Sequence, residues 1–288
     1  MKKIKAGRQP NRSRAGDVGV AIVLIIFGAF FAFPLVYAIN AAFKPLNELF
    51  IYPPKLFVQQ PTTDNFSDLF LLLNKQGVVT FTRYMFNSIF VTTVGTIGHI
   101  FIASAAAYVL AKYRFPGSRL FFSAVTVALM FTGYVTQIPG YLIMAKLGLT
   151  NTYLSLIIPA FAMPMGLFLM KQFIESSIPD VLIEAAKIDG AKEMKVYVSI
   201  VLPLVKPAIL TLMIFSIQAL WNNAGTTYIY RDELKMLPFA LQTIGAGGVA
   251  RTGAASAATL FMMILPLLCF ILAQSNIVET MASSGIKE

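Results

Sequence analysis

The sequence predicts an all-α integral membrane protein with six transmembrane helices. Apolar residues make up 57% of the 288 residues and charged residues only 12%, whereas a soluble domain carries about 25% charged residues. Six apolar runs of about 20 residues, long enough to cross a hydrocarbon core of about 30 Å, alternate with polar segments. The net charge of +10 comes from lysines and arginines beside these runs. That distribution favours a membrane protein over a nucleic-acid-binding one.

The first predicted span follows a basic start of the chain. Residues 1–17 carry six basic residues and one acid, and residues 18–42 are almost entirely apolar. A cleaved signal peptide is the alternative, but its apolar region is typically only about 7–15 residues long. We therefore interpret this run as an uncleaved transmembrane helix that kinks or ends near Pro34. Residues 43–84 contain four prolines and predict an extramembrane segment, with a short interfacial helix over residues 65–73.

The second span, residues 85–111, combines polar side chains with small residues that let helices approach closely in lipid. It contains His99, the only histidine, for which a hydrogen-bonded packing role is favoured over a proton relay. The remaining spans are predicted over residues 120–145, 153–171, 203–224 and 254–277. Breaks are expected inside the third of these six spans at Gly133, Pro139 and Gly140.

Basic residues indicate the orientation of the spans. With both termini in the cytoplasm, the inside segments hold 15 lysines and arginines and the outside segments hold 8. The positive-inside rule therefore favours this orientation. The predicted organisation is a cytoplasmic tail, a first helix with an external loop, a five-helix core with a cytoplasmic loop over 172–202, and a second cytoplasmic tail. These parts cover residues 1–17, 18–84, 85–277 and 278–288.

A polar stretch at residues 179–203 lies between the fourth and fifth spans. Pro179 and Asp180 suit the first turn of a helix, because proline needs no N–H partner there and an acid favours the positive helix end. Gly190 suits the left-handed turn after that helix. Residues 192–199 can form a second short helix. The stretch thus predicts a helix–turn–helix outside the membrane, although a solvated loop without a partner is the other interpretation.

Glu184-Ala185-Ala186 is followed after three residues by Gly190, and then by Ile200 and Leu202-Pro203. This spacing resembles the EAA motif of the permease subunits of bacterial ABC importers, and it matches that motif at every position. The aspartate before the glycine is similar to the carbohydrate-uptake branch. Further similarity includes an Asn-Ser pair at 87–88, a basic turn at 112–119 and a Leu-Thr-Asn-Thr-Tyr turn at 149–153. The residues of the motif are Glu184, Ala185, Ala186, Asp189, Gly190, Ile200, Leu202 and Pro203.

This resemblance implies the six-helix, type I ABC importer permease fold, also called MetI-like, in a bacterial inner membrane. It implies a transport subunit that pairs with a sister permease as a heterodimer, two cytoplasmic ATPases and an external solute-binding protein. ATP and magnesium would then be bound by the ATPases and not by this chain. The helix that carries Glu184 would dock on an ATPase, and Gly190 would make the turn. The C-terminal Lys287-Glu288 departs from the family pattern, which leaves its ATPase contact open.

The resemblance to the carbohydrate branch also suggests a sugar or oligosaccharide as substrate. Polar groups at membrane depth or near a gate are candidates for the pathway, because such groups tend to face a cavity. Hydrogen bonding between helices is an equal alternative for each of them, and the sister subunit could hold the main site. The candidates are Asn87, Tyr134, Gln137, Gln218 and Asn222.

Other functions find less support in the sequence. An ion-driven secondary transporter would need an acid within a span, and none lies at mid-span. An enzyme would need a nucleophile with a base or a metal site, and one histidine without an acidic partner provides neither. The sequence has no phosphate-binding GxxxxGK[ST] loop, and its single cysteine, Cys269, excludes a disulfide framework. A non-sugar importer remains the main alternative.

Overall fold

The computed structural model describes residues 14–75 and 79–284 of the chain, and these residues form helices without any strand. The first half contains α1 (Arg14–Phe43), α2 (Leu46–Leu49), α3 (Asp64–Lys75), α4 (Phe81–Lys112), α5 (Ser118–Ala128), α6 (Gly133–Lys146) and α7 (Leu154–Phe161). The second half contains α8 (Pro164–Ser177), α9 (Asp180–Ile188), α10 (Glu193–Val196), α11 (Leu202–Leu204), α12 (Lys206–Trp221), α13 (Leu237–Gly245) and α14 (Thr252–Ser284).

Among the described residues, four helical stretches are each long and apolar enough to cross a membrane, and two bent helix pairs bring the number to six. The predicted third span is one of these pairs, and the chain bends by 116° between α5 and α6. The break lies at residues 129–132, directly before the predicted break residue Gly133, which is the first residue of α6. Pro139 and Gly140 lie inside α6 and do not interrupt it. The expectation of breaks at those two residues was wrong, because the chain turns before the helix that contains them.

The predicted fifth span also differs from the structure. The helix begins at Lys206, with Pro207 in its first turn, and not at Pro203. Leu202 and Pro203 belong to the short helix α11, which lies at 78° to α12. Pro207 can occupy the first turn of α12 because an N–H at that position has no partner within the helix. The break at Val205 therefore assigns Leu202 and Pro203 to the polar loop and not to the span.

Several helices also extend further than predicted. The helix α1 continues through Pro34 to Phe43, so it does not end near the proline. The fourth span extends to Ser177 and contains a break between α7 and α8. The sixth span lies in α14, whose helix continues to Ser284. The predicted interfacial helix over 65–73 is confirmed as a helix, α3.

Helix α4 lies at the centre of the fold and packs against α7, α8 and α12. Glycines allow these close contacts. A Cβ on Gly95 would lie 2.7 Å from the Leu220 side chain, and one on Gly166 would clash with the His99 ring. His99 is buried, and its Nδ1 lies 3.4 Å from the Phe161 carbonyl oxygen. The centre of the fold is thus a tight helix crossing that contains the only histidine.

Helix α1 contrasts with α4 in its surroundings. None of the residues in the most apolar window of α1 is buried within the chain, whereas 39% of the corresponding window of α4 is buried. Side chains on every face of α1 are exposed, including Leu24, Ile25 and Phe31. Such all-round apolar exposure is stable only in lipid or against another protein.

The segment between α1 and α3 is anchored by buried polar side chains. Glu48 is 6% exposed, and its carboxylate accepts the backbone N–H groups of Gln59 at 2.8 Å and Gln60 at 3.4 Å. Asn65 of α3 donates from its amide to the carbonyl oxygens of Ala42 and Lys44, at 2.9 and 2.7 Å. These bonds satisfy backbone groups in loops and in the last turn of α1, where carbonyl oxygens lack a partner within the helix. They therefore hold α3 against the C-terminal end of α1.

Candidate functional site

The loop between the fourth and fifth spans forms the predicted helix–turn–helix. Pro179 precedes the first residue of α9, and Gly190 follows the helix with φ of +77°, in the left-handed region. A glycine adopts this conformation without the steric cost of a Cβ. The second helix differs from the predicted 192–199: α10 continues as a π-helix over Tyr197–Val201 and then as α11 to Leu204. We refer to residues 179–205 as the loop element.

One face of the loop element packs on the transmembrane helices. Ile183, Val196 and Val201 are buried in a cluster with Met170 and Ile174 of α8. The same cluster includes residues of α4 and α12. Burial of these side chains stabilises the element, at about 25 cal/mol per Å² of apolar surface removed from water. The loop element is therefore a fixed part of the fold.

The opposite face of the loop element is exposed and carries large apolar side chains among charged ones. Val181 is 71% exposed, Ile188 is 87% exposed and Met194 is 66% exposed. Glu184 is exposed on the same helix, and its carboxylate makes no hydrogen bond or ion pair with any residue that the structure describes. Apolar side chains grouped around a free acid are typical of a surface that binds a partner.

The motif residues divide between these two faces. Glu184, Ala185 and Asp189 are exposed, whereas Ala186 is half-buried. Ile200 and Leu202 are half-buried and pack against the core cluster, and Pro203 is exposed. The structure therefore brings the first part of the motif to the outward surface and uses part of the second to attach the element to the bundle.

A polar cluster links the two short helices of the loop element to the end of α4. Lys187 donates to the Glu193 carboxylate at 2.9 Å and to the Tyr113 hydroxyl at 3.1 Å. The hydroxyl of Tyr113 donates to Glu193, and the hydroxyl of Tyr108 lies 3.4 Å from the same carboxylate. We call these four residues the tyrosine clamp. They were not among the predicted site residues, because their positions in sequence are up to 85 residues apart.

The start of α9 is attached to α4 by a second contact. Lys112 donates to the Ile178 carbonyl oxygen and to the Asp180 carboxylate, both at 2.6 Å. The hydrogen bond from Lys112 lowers the pKa of Asp180. Hydrogen bonds from Tyr113 and then Lys187 lower the pKa of Glu193, and the bond to Glu193 raises the pKa of Lys187. Burial, followed by the bond to Glu193, raises the pKa of Tyr113.

The other end of α4 carries a different polar cluster. Asn87 is fully buried, and its amide donates to the carbonyl oxygens of Glu233 at 2.9 Å and Lys235 at 2.8 Å. Its own carbonyl oxygen accepts the Tyr153 hydroxyl at 2.6 Å. The neighbouring Ser88 accepts the Leu237 backbone N–H at 2.8 Å. The predicted pathway residue Asn87 therefore uses both its donor and its acceptor within the chain.

Asn151 organises the same end of the molecule. It has φ of +60°, the only positive value for a non-glycine residue among those described. Its side-chain oxygen accepts the backbone N–H groups of Tyr230 at 2.7 Å and Arg231 at 3.2 Å. Asparagine tolerates this conformation better than most residues. The similarity at 149–153 thus corresponds to a turn that holds the 228–231 segment.

The other predicted pathway residues lie near this segment with more exposure. Tyr134 is 87% exposed. Gln137 donates from its amide to the Thr227 hydroxyl at 2.9 Å. Asn222 donates to the backbone carbonyl oxygen of Gln218 at 2.8 Å, and both side chains are exposed. Their role in a pathway stays a prediction.

The two polar clusters are far apart. Asn87 and Tyr108 are 21 residues apart on the unbroken helix α4, which corresponds to about 32 Å at 1.5 Å per residue. This distance is close to the thickness of a hydrocarbon core, about 30 Å. The loop element and the 228–237 segment therefore lie at opposite ends of α4, a helix long and apolar enough to span a membrane.

Among the described residues, no three His, Cys, Asp or Glu side chains come together as a metal site. Cys269 is a half-buried free cysteine. Most of the basic N-terminal tail, residues 1–13, lies outside the described residues, as do residues 285–288 with Lys287 and Glu288. The predicted roles of these tails stay predictions.

Comparison with known proteins gives a consistent result. The family described as the inner membrane component of binding-protein-dependent transport systems matches residues 20–282. Protein LplC of Bacillus subtilis is 34% identical over 83% of this chain and 78% of its own length. The polygalacturonan/rhamnogalacturonan transport system permease protein YtcP of the same organism is 30% identical over 79% of this chain and 76% of its own length.

A solved structure supports the fold. The crystal structure of a bacterial ABC transporter that imports the acidic polysaccharide alginate matches with a TM-score of 0.74 and 22% identity. The match covers 93% of this chain and 99% of the other. The predicted all-helical, MetI-like permease fold is confirmed. The chain therefore belongs to the family of inner membrane components of binding-protein-dependent transport systems, whose members are permease subunits and not the ATPases.

Proposed function

We propose that this permease forms half of the translocation pathway for a sugar or oligosaccharide, together with a sister permease. A solute-binding protein delivers the substrate on the side of the 228–237 segment, and two ATPases bind on the side of the loop element. The observation that carries this proposal is the outward face of α9, where Glu184 has no partner among the described residues and lies beside the exposed apolar side chains of Val181 and Ile188. A partner surface with a complementary basic group would satisfy both features.

The names of the similar proteins support a carbohydrate substrate. The YtcP system transports polygalacturonan and rhamnogalacturonan, and the solved importer transports alginate. The tyrosine and amide side chains at 134, 137, 218 and 222 are the kinds of groups that stack on and hydrogen-bond to sugars. A non-sugar solute is the second candidate, because a glycerol-3-phosphate permease of Yersinia enterocolitica is 31% identical over 73% of this chain.

A substrate panel separates these two candidates. The permease, its sister subunit, the ATPases and the binding protein are reconstituted in proteoliposomes. Uptake of labelled arabinotriose, trigalacturonate and sn-glycerol-3-phosphate is then measured. We expect uptake of one of the two oligosaccharides, and uptake of glycerol phosphate alone would overturn the sugar assignment.

Substitutions on α9 test the docking role. Glu184→Ala removes a free acid and leaves the chain's own contacts unchanged, so abundance in the membrane should be normal. Removing one partner of a desolvated ion pair costs about 2–5 kcal/mol, so ATPase subunits should co-purify at least about tenfold less well with this variant. Gly190→Ala should act in the same direction, because a Cβ at φ of +77° strains the turn by about 1 kcal/mol.

The matched control is Glu175→Ala. Glu175 is an exposed acid on α8, and its partner is Lys171 one helical turn away. Exposed pairs of this kind contribute about 0.3–0.5 kcal/mol, so this variant should retain its ATPase subunits. Equal ATPase recovery with Glu184→Ala and with the unchanged chain would contradict the docking role of α9.

A further inference from the structure

We propose that α4 receives the movement of the loop element and carries it to the 233–237 segment on the opposite side of the membrane. The tyrosine clamp and Lys112 are then positioning residues for coupling. This inference rests on the proposed docking of an ATPase to α9. In this inference the movement passes mainly through α4 and not through α8 and α12, the helices next to the loop element in sequence.

The first support is the way α4 holds the loop element. Lys112, the last residue of α4, contacts the start of α9 through Asp180 and the Ile178 carbonyl. Tyr108 and Tyr113 contact the end of α9 and the start of α10 through Lys187 and Glu193. Both ends of the docking helix are therefore attached to one transmembrane helix by charged hydrogen bonds, which are stronger than neutral ones.

A buried contact extends this attachment to the π-helix of the loop element. The hydroxyls of Ser104 and Tyr197 lie 2.6 Å apart in the interior. The rings of Tyr108 and Tyr197 have centroids 5.8 Å apart. Movement of the loop element relative to α4 would break this buried hydrogen bond as well as the clamp, so the two should move together.

The second support is the attachment at the other end of α4. The Asn87 amide binds the carbonyl oxygens of Glu233 and Lys235, and Arg83 donates to the Glu233 carbonyl at 3.1 Å. Ser88 holds the first residue of α13, Leu237. One unbroken helix of 32 residues therefore binds the loop element at one end and the 233–237 segment at the other.

The third support is that the other two helices next to the loop element, α8 and α12, are separated by a bend or a break from the elements that precede them. Helix α12 meets the loop element at a bend of 78° at Val205. Helix α8 has 14 residues, and a break at Ala162–Met163 separates it from α7. Among the described helices that contact the loop element, α4 alone runs without interruption to the other polar cluster. A bend or break can absorb displacement, whereas a continuous helix transmits it.

The test measures movement at both ends of α4 in the complete importer. All variants carry Cys269→Ala, so that a single fluorophore can be attached at a chosen cysteine. One reporter uses Lys192→Cys, exposed on the loop element, and the other uses Gln242→Cys, exposed on α13. Spectral changes on addition of ATP and vanadate are recorded in nanodiscs, and co-purification of the ATPase subunits is measured in parallel.

We expect both reporters to respond in the otherwise unchanged importer. Glu193→Ala and Lys112→Met should retain the ATPase subunits and the spectral response of the fluorophore at position 192. They should reduce the response at Gln242 at least about fivefold, the lower range of typical coupling between sites. The charge exchange Lys187→Glu with Glu193→Lys should restore the Gln242 response, which a merely structural defect would not allow. Lys195→Gln, an exposed charge change outside the clamp, is the control and should have no effect.

The outcomes separate this inference from the proposed function. A Gln242 response that is unchanged in both Glu193→Ala and Lys112→Met would overturn the role of α4 while leaving the docking role intact. Failure of the unchanged chain to retain ATPase subunits would instead overturn the proposed function. Loss of the Gln242 response in Lys195→Gln as well would also overturn the inference, because the effect would not be specific to the clamp.

Discussion

The two ends of α4 use polar side chains in opposite ways. At the 233–237 end, Asn87 and Ser88 are fully buried, and their hydrogen-bonding groups are occupied within the chain. On the outward face of the loop element, Glu184 is exposed and has no partner among the described residues, and Ile188 beside it is 87% exposed. The difference separates polar residues whose hydrogen bonds are used within the chain from an acid that is left available to a partner.

Burial distinguishes these two uses. A buried polar group without a hydrogen bond costs about 1–3 kcal/mol, so Asn87 stabilises the fold through its contacts. An exposed acid costs the free chain nothing and becomes energetically important only when a partner removes it from water. Substitutions at the two ends should therefore separate stability from assembly.

The largest expected effect is a difference in access to the two sides of the membrane. Tyr52→Cys and Ile188→Cys replace residues of closely similar exposure, 93% and 87%. With both termini in the cytoplasm, an impermeant maleimide added to intact cells should label Tyr52→Cys and leave Ile188→Cys unlabelled. In permeabilised cells that lack the ATPase subunits, which would otherwise cover Ile188, both variants should be labelled. Labelling of Ile188→Cys alone in intact cells would reverse the proposed orientation.

The next effect concerns stability at the 233–237 end. Asn87→Leu leaves the carbonyl oxygens of Glu233 and Lys235 and the Tyr153 hydroxyl without their partner. We expect a loss of about 3 kcal/mol in the free energy of unfolding, measured as a lower melting temperature of the chain in detergent. Asn222→Leu is the matched control. Its amide is exposed and bonds only within α12, so its effect should stay within about 0.5 kcal/mol. Equal melting temperatures would show that Asn87 does not stabilise the fold.

The smallest effect is a pH dependence in the loop element. The pKa of Glu193 is lowered from 4.5 and that of Asp180 from 3.8 by hydrogen bonds in the folded chain. Their contribution is therefore present above these ordinary values and is lost as the pH falls through the lowered pKa values. Amide exchange in α9, corrected for intrinsic rates, should stay slow from about pH 6 to about pH 5 and accelerate towards about pH 3. Glu193→Gln should reduce this acceleration, and an unchanged pH profile would contradict the contribution of the clamp.

The sequence predicted those parts of the fold that depend on local chemistry. Runs of apolar residues predicted the spans, and Pro179 and Gly190 predicted the limits of α9, because proline at a first turn and glycine at positive φ are local requirements. A break was predicted at Gly133, which directly follows the bend at residues 129–132. The size of that bend was not predictable, since an apolar run of sufficient length reads as one span whether it is straight or bent. Pro139 lies within α6 and does not interrupt the helix.

The candidate site, like the fold, was predicted only where its residues lie close together in the sequence. Glu184 was selected because its motif lies within one stretch of the sequence, and its role stays a prediction. The tyrosine clamp was missed because Tyr108 and Glu193 are brought together only by the packing of α4 against the loop element. Asn87 was selected because it is polar at membrane depth, a signal that does not distinguish a residue that faces a pathway from one that binds the backbone.

The π-helix at Tyr197–Val201 has a consequence for insertions and deletions in this chain. A π turn holds one residue more than an α turn. Because the wide turn accommodates this extra residue, deletion of one residue there would restore α geometry and leave α10 and α11 facing nearly the same directions. Deletion of one residue within the regular helix α9 would instead rotate its two ends by about 100° relative to one another and turn Lys187 away from Tyr113. We therefore expect the loop element to tolerate the loss of one residue better at the π-helix than in α9.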